Sequence, residues 1–200
     1  QGSEKTVLID AVDPEFSQTL MTYLDGVERI DYVVSQHAEQ DHSGAIPQVL
    51  ARFPEAKVMA TAKAKPMLMD LLNIPEDKFV VVADGETLSL GDKTLKFIHT
   101  PWAHWPETMS TYLAEDRILF SCDFLGSHIA SSDLFVTDKC RVHEAAKRYF
   151  AEIMMPFRAV IQGNVKKIRA LQPRLIAPSH GPVFARPECI LSAYEDWISD

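Results

Sequence analysis

The segment Ser35-Gln36-His37-Ala38-Glu39-Gln40-Asp41-His42-Ser43-Gly44 places four side chains able to bind a metal, His37, Glu39, Asp41 and His42, within six residues. Three more residues of the same kind stand in similar settings further along. His104 lies in Thr100-Pro101-Trp102-Ala103-His104-Trp105-Pro106, Asp123 in Ser121-Cys122-Asp123-Phe124, and His180 in Pro178-Ser179-His180-Gly181-Pro182. Each follows a run of residues that reads as a strand, and α/β folds place their ligands in loops at the carboxyl ends of strands. Together the seven are four imidazoles and three carboxylates with no thiolate, a hard donor set for metal. Such a site tolerates ferrous and ferric iron alike, because anionic oxygen offsets the charge gained on oxidation. A zinc pair engaged in hydrolysis gains nothing from that tolerance. Two metals about 3.5 Å apart can each take one end of a diatomic substrate, as two-metal sites do for attacking and leaving oxygens.

The elements that must position these residues follow from the patterning. Residues 6–9 read as a strand and 14–24 as a helix, with Asp13 as N-cap and Pro14 in its first turn. Strand 31–35 leads into the metal-rich loop, followed by a helix from about residue 45 to 53, a strand at 57–60 and a helix at 62–72. Alternate residues of an extended segment project to one side, so His37, Glu39 and Asp41 are expected to converge. His42 then turns with the entering helix, which Ser43 is placed to cap. Residues 79–83, 86–90 and 93–99 read as consecutive antiparallel strands separated by the turn residues Asp84-Gly85 and Gly91-Asp92. A hairpin at 109–114 and 117–121, helices over 141–171 broken near Pro156, a strand at 174–177 and a helix from Pro187 complete the pattern. It predicts one layered α/β domain over residues 1–200. The opening turn Gly2-Ser3-Glu4-Lys5 runs straight into a strand that reads as central, although a hairpin turn needs a strand before it. The chain is therefore expected to be an internal piece that lacks the first strands of its fold.

The order His-x-Glu-x-Asp-His, followed by His, Asp and His at long intervals, resembles the metallo-β-lactamase superfamily. Glu39 narrows the resemblance: hydrolases of that superfamily usually carry His-x-His-x-Asp-His, whereas glutamate at the third position marks the flavodiiron proteins. The words Thr100-Pro101, His104-Trp105-Pro106-Glu107-Thr108-Met109, Ser121-Cys122-Asp123-Phe124-Leu125-Gly126-Ser127-His128 and Ser179-His180-Gly181-Pro182 agree, and the likeness covers essentially the whole chain. It implies a metallo-β-lactamase-like αβ/βα sandwich holding two iron ions. One would be bound by His37, Glu39 and His104, the other by Asp41, His42 and His180, with Asp123 bridging. The family histidine matching His42 swings away from the metal in some members. His128 and Tyr149 would line the substrate pocket as hydrogen-bond donors, with a core or helix-surface role the alternative for Tyr149. The implied reaction is reduction of O2 to water or of NO to nitrous oxide. Electrons would come through FMN in a flavodoxin-like domain, supplied by a donor such as rubredoxin or a flavin reductase, across a head-to-tail homodimer. This sequence carries no glycine- and hydroxyl-rich phosphate loop, so the flavin is expected in a domain or partner outside it. Two other readings stay open: a di-iron oxygen-binding sensor without turnover, and a dizinc hydrolase of the glyoxalase II type. Against the hydrolase stand Glu39 and the lack of an anionic-substrate patch near the metal loops.

Bulk properties restrict the remaining choices. Two hundred residues, 46% hydrophobic and 24% charged, suit one globular domain with a real core. No apolar run approaches the roughly 18 residues of a membrane span, and the amino terminus has no signal pattern, so a cytoplasmic protein is expected. A net charge of −8 disfavours nucleic acid as a partner. The three cysteines form no Cys-x-x-Cys pair and read as reduced, packing thiols. His99 reads as core or supporting the metal loop, His143 as solvated, and Lys166-Lys167-x-Arg169 as a solvated helix face. Trp102 and Trp105 read either as flavin contacts at an interface or as packing around the metal loop.

Overall fold

Short β-branched runs form the strands and amphipathic stretches the helices in the computed structural model, which describes residues 1–199. Strands β1 (Val7–Ile9), β2 (Tyr32–Val34), β3 (Lys57–Ala60) and β4 (Phe79–Val81) pair in parallel and in that order. Parallel neighbours need crossovers. Helix α1 (Ser17–Tyr23), the pair α2 (Gln40–Ser43) and α3 (Ile46–Arg52), and α4 (Ala64–Leu72) supply them. The second sheet runs β5 (Thr87–Ser89), β6 (Thr94–His99), β7 (Met109–Leu113) and β8 (Ile118–Cys122), all antiparallel, with short turns except for the loop 100–108 between β6 and β7. Strand β9 (Leu175–Pro178) joins parallel to β8 after the long helices α5 (Lys139–Tyr149) and α6 (Arg158–Leu171), and α7 (Pro187–Ser199) follows.

Strand periodicity sorts the core into layers. Val34 and Met59 face inward and meet Leu95, Phe97 and Met109 of the other sheet. Val33 and Val58, one residue earlier, face outward onto Ile46, Val49 and Leu68 of the first helices. On the opposite side Ile98 and Leu119 pack against Ile161, Val165, Ile168 and Tyr194 of the later helices. Each such fully buried aliphatic side chain contributes roughly 1.5–3 kcal/mol. The result is the expected sandwich of two sheets with helices on both outer faces. Among the described residues no helix is long and apolar enough to cross a membrane.

Three expectations need correction. Strand β4 pairs in parallel with β3, so the antiparallel run starts only at β5. Asp84-Gly85 is accordingly no hairpin turn but the passage between sheets, where Gly85 (φ +82°) donates its N–H to Phe97 O at 2.8 Å. Strand β1 lies at a sheet edge and is half-buried throughout. An apolar run packed by neighbours cannot by itself tell edge from centre. The break near Pro156 is present, as a π turn at Phe150–Met154 and a 3-10 turn at Met155–Phe157, where proline offers no N–H.

Candidate metal centre

The first donor loop leaves the parallel sheet at Val34. Ser35 N–H continues the ladder to Met59 O at 2.9 Å, and Ser35 Oγ donates to His37 O at 3.0 Å. The chain stays extended to Glu39 (φ −62°, ψ 148°), and α2 starts at Gln40. Only His37 and Glu39 therefore alternate as an extended segment would. Asp41 already lies in the first turn of α2, and the turn carries it and His42 to a second group of donors. Ser43 is not a cap: its hydroxyl donates back to Ala38 O at 2.8 Å and Glu39 O at 2.9 Å, closing the turn from behind.

The antiparallel half brings three loops to the same place. The His104 loop is braced by Thr108 Oγ1 donating to Thr100 O at 2.5 Å, Trp102 N–H to Trp105 O at 2.7 Å, and Asn164 Nδ2 of α6 to Pro101 O at 2.9 Å. Cys122 adopts a left-handed conformation (φ 55°), which turns the chain at the end of β8 and aims Asp123 inward. The His180 loop is tied to that turn by Ser179 N–H to Cys122 O at 2.8 Å and Ser127 N–H to His180 O at 3.1 Å. At Gly181 (φ +85°) a Cβ would sit 2.2 Å from Ser127 Oγ, so glycine is needed for the loops to touch.

All seven predicted donors converge, in two sets around Asp123. His37 Nε2 and His104 Nε2 lie 3.2 and 3.1 Å from Glu39 Oε2, and 3.4 and 3.3 Å from Asp123 Oδ2. His42 Nε2 and His180 Nε2 lie 3.2 and 3.1 Å from Asp41 Oδ2, and both 3.0 Å from Asp123 Oδ1. Donors about 2.1 Å from one ion and 90–110° apart are separated by about 3.0–3.4 Å. Buried Asp41 Oδ1, His42 Nε2 and Asp123 Oδ1 have no hydrogen-bond partner of acceptable geometry. Buried polar atoms are normally paired, and ones that converge in this way are fitted for cations. The residues suit two hard metal ions sharing the Asp123 carboxylate.

The electrostatics carry the same imprint. Burial works against charge on His37, but hydrogen bonds to Glu107 and Glu39 and the Asp123 charge outweigh it and push the imidazole up to about 9. Hydrogen bonds to Asp123 and Asp41 push His180 up to about 9 as well. Burial would raise Asp123, yet bonds from His104, His180 and His42 hold it well below the carboxylate range. In the metal-free chain, protons take the place of the cations.

Sequence reasoning missed the groups behind these donors. Glu107, wholly buried, accepts from His37 Nδ1 at 2.7 Å. Its only sequence signal was its place in the Trp-Pro-Glu word. Asp10 (φ 56°) accepts from Gln36 N–H at 2.7 Å and Gln36 Nε2 at 2.8 Å, holding the residue before His37. Cys122, read as a packing thiol, is buried with Sγ 3.6 Å from His42 Nδ1. Tyr149 is buried and His128 exposed; their rings meet edge to face at 4.7 Å, and lie 6.4 and 6.3 Å from His180. Burial and the Asp123 carboxylate push the Tyr149 phenol above its ordinary value, so it keeps its proton as a donor. Trp105 packs edge-on against His37 at 5.0 Å, whereas Trp102 stacks on Phe157 and is 38% exposed. His99 bonds Val82 O, outside either donor set, and exposed His143 rests on Trp197. The α6 cations are not merely solvated: Lys167 pairs with Asp84, and Arg169 with Glu188 and Glu195.

Comparison with known proteins finds relatives over nearly the whole chain. A family model described as ODP family beta lactamase matches residues 1–181. A type A flavoprotein of Rhodobacter capsulatus is 38% identical over 188 residues, 92% of this chain and 43% of its own length. An anaerobic nitric oxide reductase flavorubredoxin of Pectobacterium atrosepticum is 39% identical over 204 residues, 97% of this chain and 40% of its own. Among solved structures, rubredoxin oxygen:oxidoreductase from Desulfovibrio gigas superposes with TM-score 0.92 at 29% identity, covering 98% of this chain and 52% of that one. A variant of the flavo di-iron protein from Thermotoga maritima does so with TM-score 0.91 at 28% identity, covering 99% and 50%. The chain thus spans about half or less of the length of these proteins.

Proposed function

The chain belongs to the ODP family of β-lactamase-like proteins and, within it, to the flavodiiron proteins, and from that premise we propose that it is the catalytic di-iron domain of an oxidoreductase that reduces O2 to water, NO to nitrous oxide, or both. Its electrons would arrive through FMN held by a flavodoxin-like domain or partner, in a head-to-tail homodimer, from a donor such as rubredoxin or a flavin reductase. The relatives' names point the same way, one being a nitric oxide reductase and another a rubredoxin oxygen:oxidoreductase.

Bound iron would supply electrons and open coordination positions for a diatomic gas. The protein's part is to hold and shield. His37, Glu39 and His104 would bind one ion, Asp41, His42 and His180 the other, with Asp123 between them. Three of these donors, His37, His42 and Asp123, are wholly or almost wholly buried, so water cannot compete for their lone pairs. Protonated Tyr149 and exposed His128, on the His180 side, are the donors placed to bond an oxygen that gains negative charge. The observation that carries this reading is the convergence of four imidazoles on the Glu39, Asp41 and Asp123 carboxylates, with buried His42 Nε2 and Asp123 Oδ1 left without a hydrogen-bond partner.

The test is metal analysis of the chain loaded with iron without air, followed by O2 and NO consumption by the reduced protein joined to its flavin domain. Two irons and steady loss of either gas are expected. Tight zinc with thioester hydrolysis and no gas consumption would overturn the reading.

A further inference from the structure

The two donor sets are matched in their inner residues: each has two imidazoles and one carboxylate, and they share Asp123. They differ in what stands behind the buried imidazole of each set. His37 Nδ1 faces Glu107 Oε1 at 2.7 Å, with both side chains fully enclosed. Ala38 N–H lies 3.0 Å from the same nitrogen and 3.1 Å from the same oxygen. A carboxylate only accepts, so both N–H groups donate to Glu107. That fixes the proton on Nδ1, leaves the Nε2 lone pair free, and locks the ring. Glu107 is itself anchored, since Thr61 Oγ1 donates to its carbonyl at 2.9 Å.

Behind His42 stands Cys122 Sγ, 3.6 Å from Nδ1. A thiol is a weak donor and a weak acceptor, so it does not choose between tautomers. With its proton on Nε2, His42 presents an N–H to the centre instead of a lone pair. Asp10 shares this buried cluster, where its two carboxylate oxygens accept from Gln36 and make no hydrogen bond to His42.

We propose that Glu107 is a positioning residue that makes the two metal positions unequal, so that the one formed by His37, Glu39 and His104 fills first and empties last. The exchangeable position is that of Asp41, His42 and His180, the one beside His128 and Tyr149. The inference rests on the two-metal reading above, and the experiment separates them.

The iron-loaded chain, freed of unbound metal without air, is mixed with excess chelator, and released iron is counted against time. Wild type is expected to lose one ion quickly and the second at least about tenfold more slowly. Glu107→Gln, which keeps an oxygen for both N–H groups but drops the charge, should speed the slow phase about tenfold and leave the fast one unchanged. Cys122→Ala should alter only the fast phase. Loss of both irons in one phase from wild type would overturn the proposal while leaving the two-metal reading intact. So would a Glu107→Gln change confined to the fast phase. Should that variant not fold, a changed slow phase in Cys122→Ala overturns it instead. A wild-type chain that retains no iron sinks the reading and the inference together.

Discussion

The parallel half of the sandwich delivers four of the seven donors from one short loop, whereas the antiparallel half delivers three from three separate loops. In the first case the geometry is local: one turn of α2 divides His37 and Glu39 from Asp41 and His42. In the second it is tertiary, set by sheet register and by loop-to-loop bonds such as Ser179 N–H to Cys122 O at 2.8 Å. A local motif is written in adjacent residues and is hard to misplace. A tertiary one needs the whole sheet, but it alone can put Asp123 at the midpoint, in contact with imidazoles of both sets.

That contrast predicts unequal consequences. Asp123→Ala should have the largest effect, because Asp123 is common to both positions: metal content should fall from two ions to less than one, and gas reduction should vanish. Next come His104→Ala and His180→Ala, each of which removes a donor from one position only. Each should retain a single ion and lose more than about a hundredfold in turnover, since even supporting residues of metal sites cost 10–100-fold. Metal analysis decides the matter. If His104→Ala or His180→Ala empties both positions as Asp123→Ala does, the two sets are not separable and the comparison fails.

The same contrast governs what was legible in the sequence. His37, Glu39, Asp41 and His42 announce themselves by density, and His104, Asp123 and His180 by their places just beyond strands. The layered α/β class follows from the alternation of strands and helices, and the αβ/βα sandwich from the family resemblance; the structure adds that alternate side chains of Val33-Val34 and Val58-Met59 face different layers. Glu107 and Asp10 were not legible. A buried carboxylate looks like any surface carboxylate until the fold shows that Glu107 faces His37 and Asp10 faces Gln36. The pairing of β4 was misread because an Asp-Gly turn signal is equally compatible with a hairpin and with a change of sheet; only the partner of Val80, Met59 in β3, distinguishes them.

Tyr149 sharpens the comparison from the substrate side. Tyr149→Phe removes a hydroxyl from the neighbourhood of His180 and Asp123 but no metal donor. Metal content should stay at two ions while turnover falls on the order of 10–100-fold, the cost of losing one hydrogen-bond donor to developing charge. Loss of metal in this variant would make Tyr149 a support of the centre and not a donor to substrate.

The imidazoles predict a pH signature that differs between metal-free and loaded chain. His37 and His180 are raised from 6.5 to about 9 in the folded metal-free chain. Their stabilisation is fully present below pH 6.5 and is lost as pH rises through about 9, because the unfolded chain has already released those protons. Asp41 and Asp123 are lowered from 3.8, so their contribution is present above pH 3.8 and is lost as pH falls through their folded values. Thermal unfolding of metal-free protein should therefore weaken from pH 6.5 to 9.5. Iron displaces the same protons, so loaded protein should show little of this decline. Equal decline in both forms would mean that His37 and His180 are not the groups exchanging protons for metal.

The smallest effect is expected far from the centre, where Arg169 of α6 bonds Glu195 Oε1 at 2.7 Å and Glu188 Oε2 at 2.8 Å on α7. These distances look as tight as those at the metal loops, but the setting is different. The Arg169 side chain is 35% exposed and its partners 44% and 71%, so water screens the charges and the arrangement replaces good hydration. The helices are held instead by Ile161, Val165 and Ile168 packing with Ile190 and Tyr194 in one buried cluster. Arg169→Ala should cost less than about 1 kcal/mol, a fall of roughly 2–4 °C in Tm at this chain length, with metal content untouched. A loss several times larger, or any loss of iron, would show that the helical layer transmits strain to the loop that Asn164 of α6 braces through Pro101 O. The antiparallel half would then hold its donors through its helices as well as through its sheet.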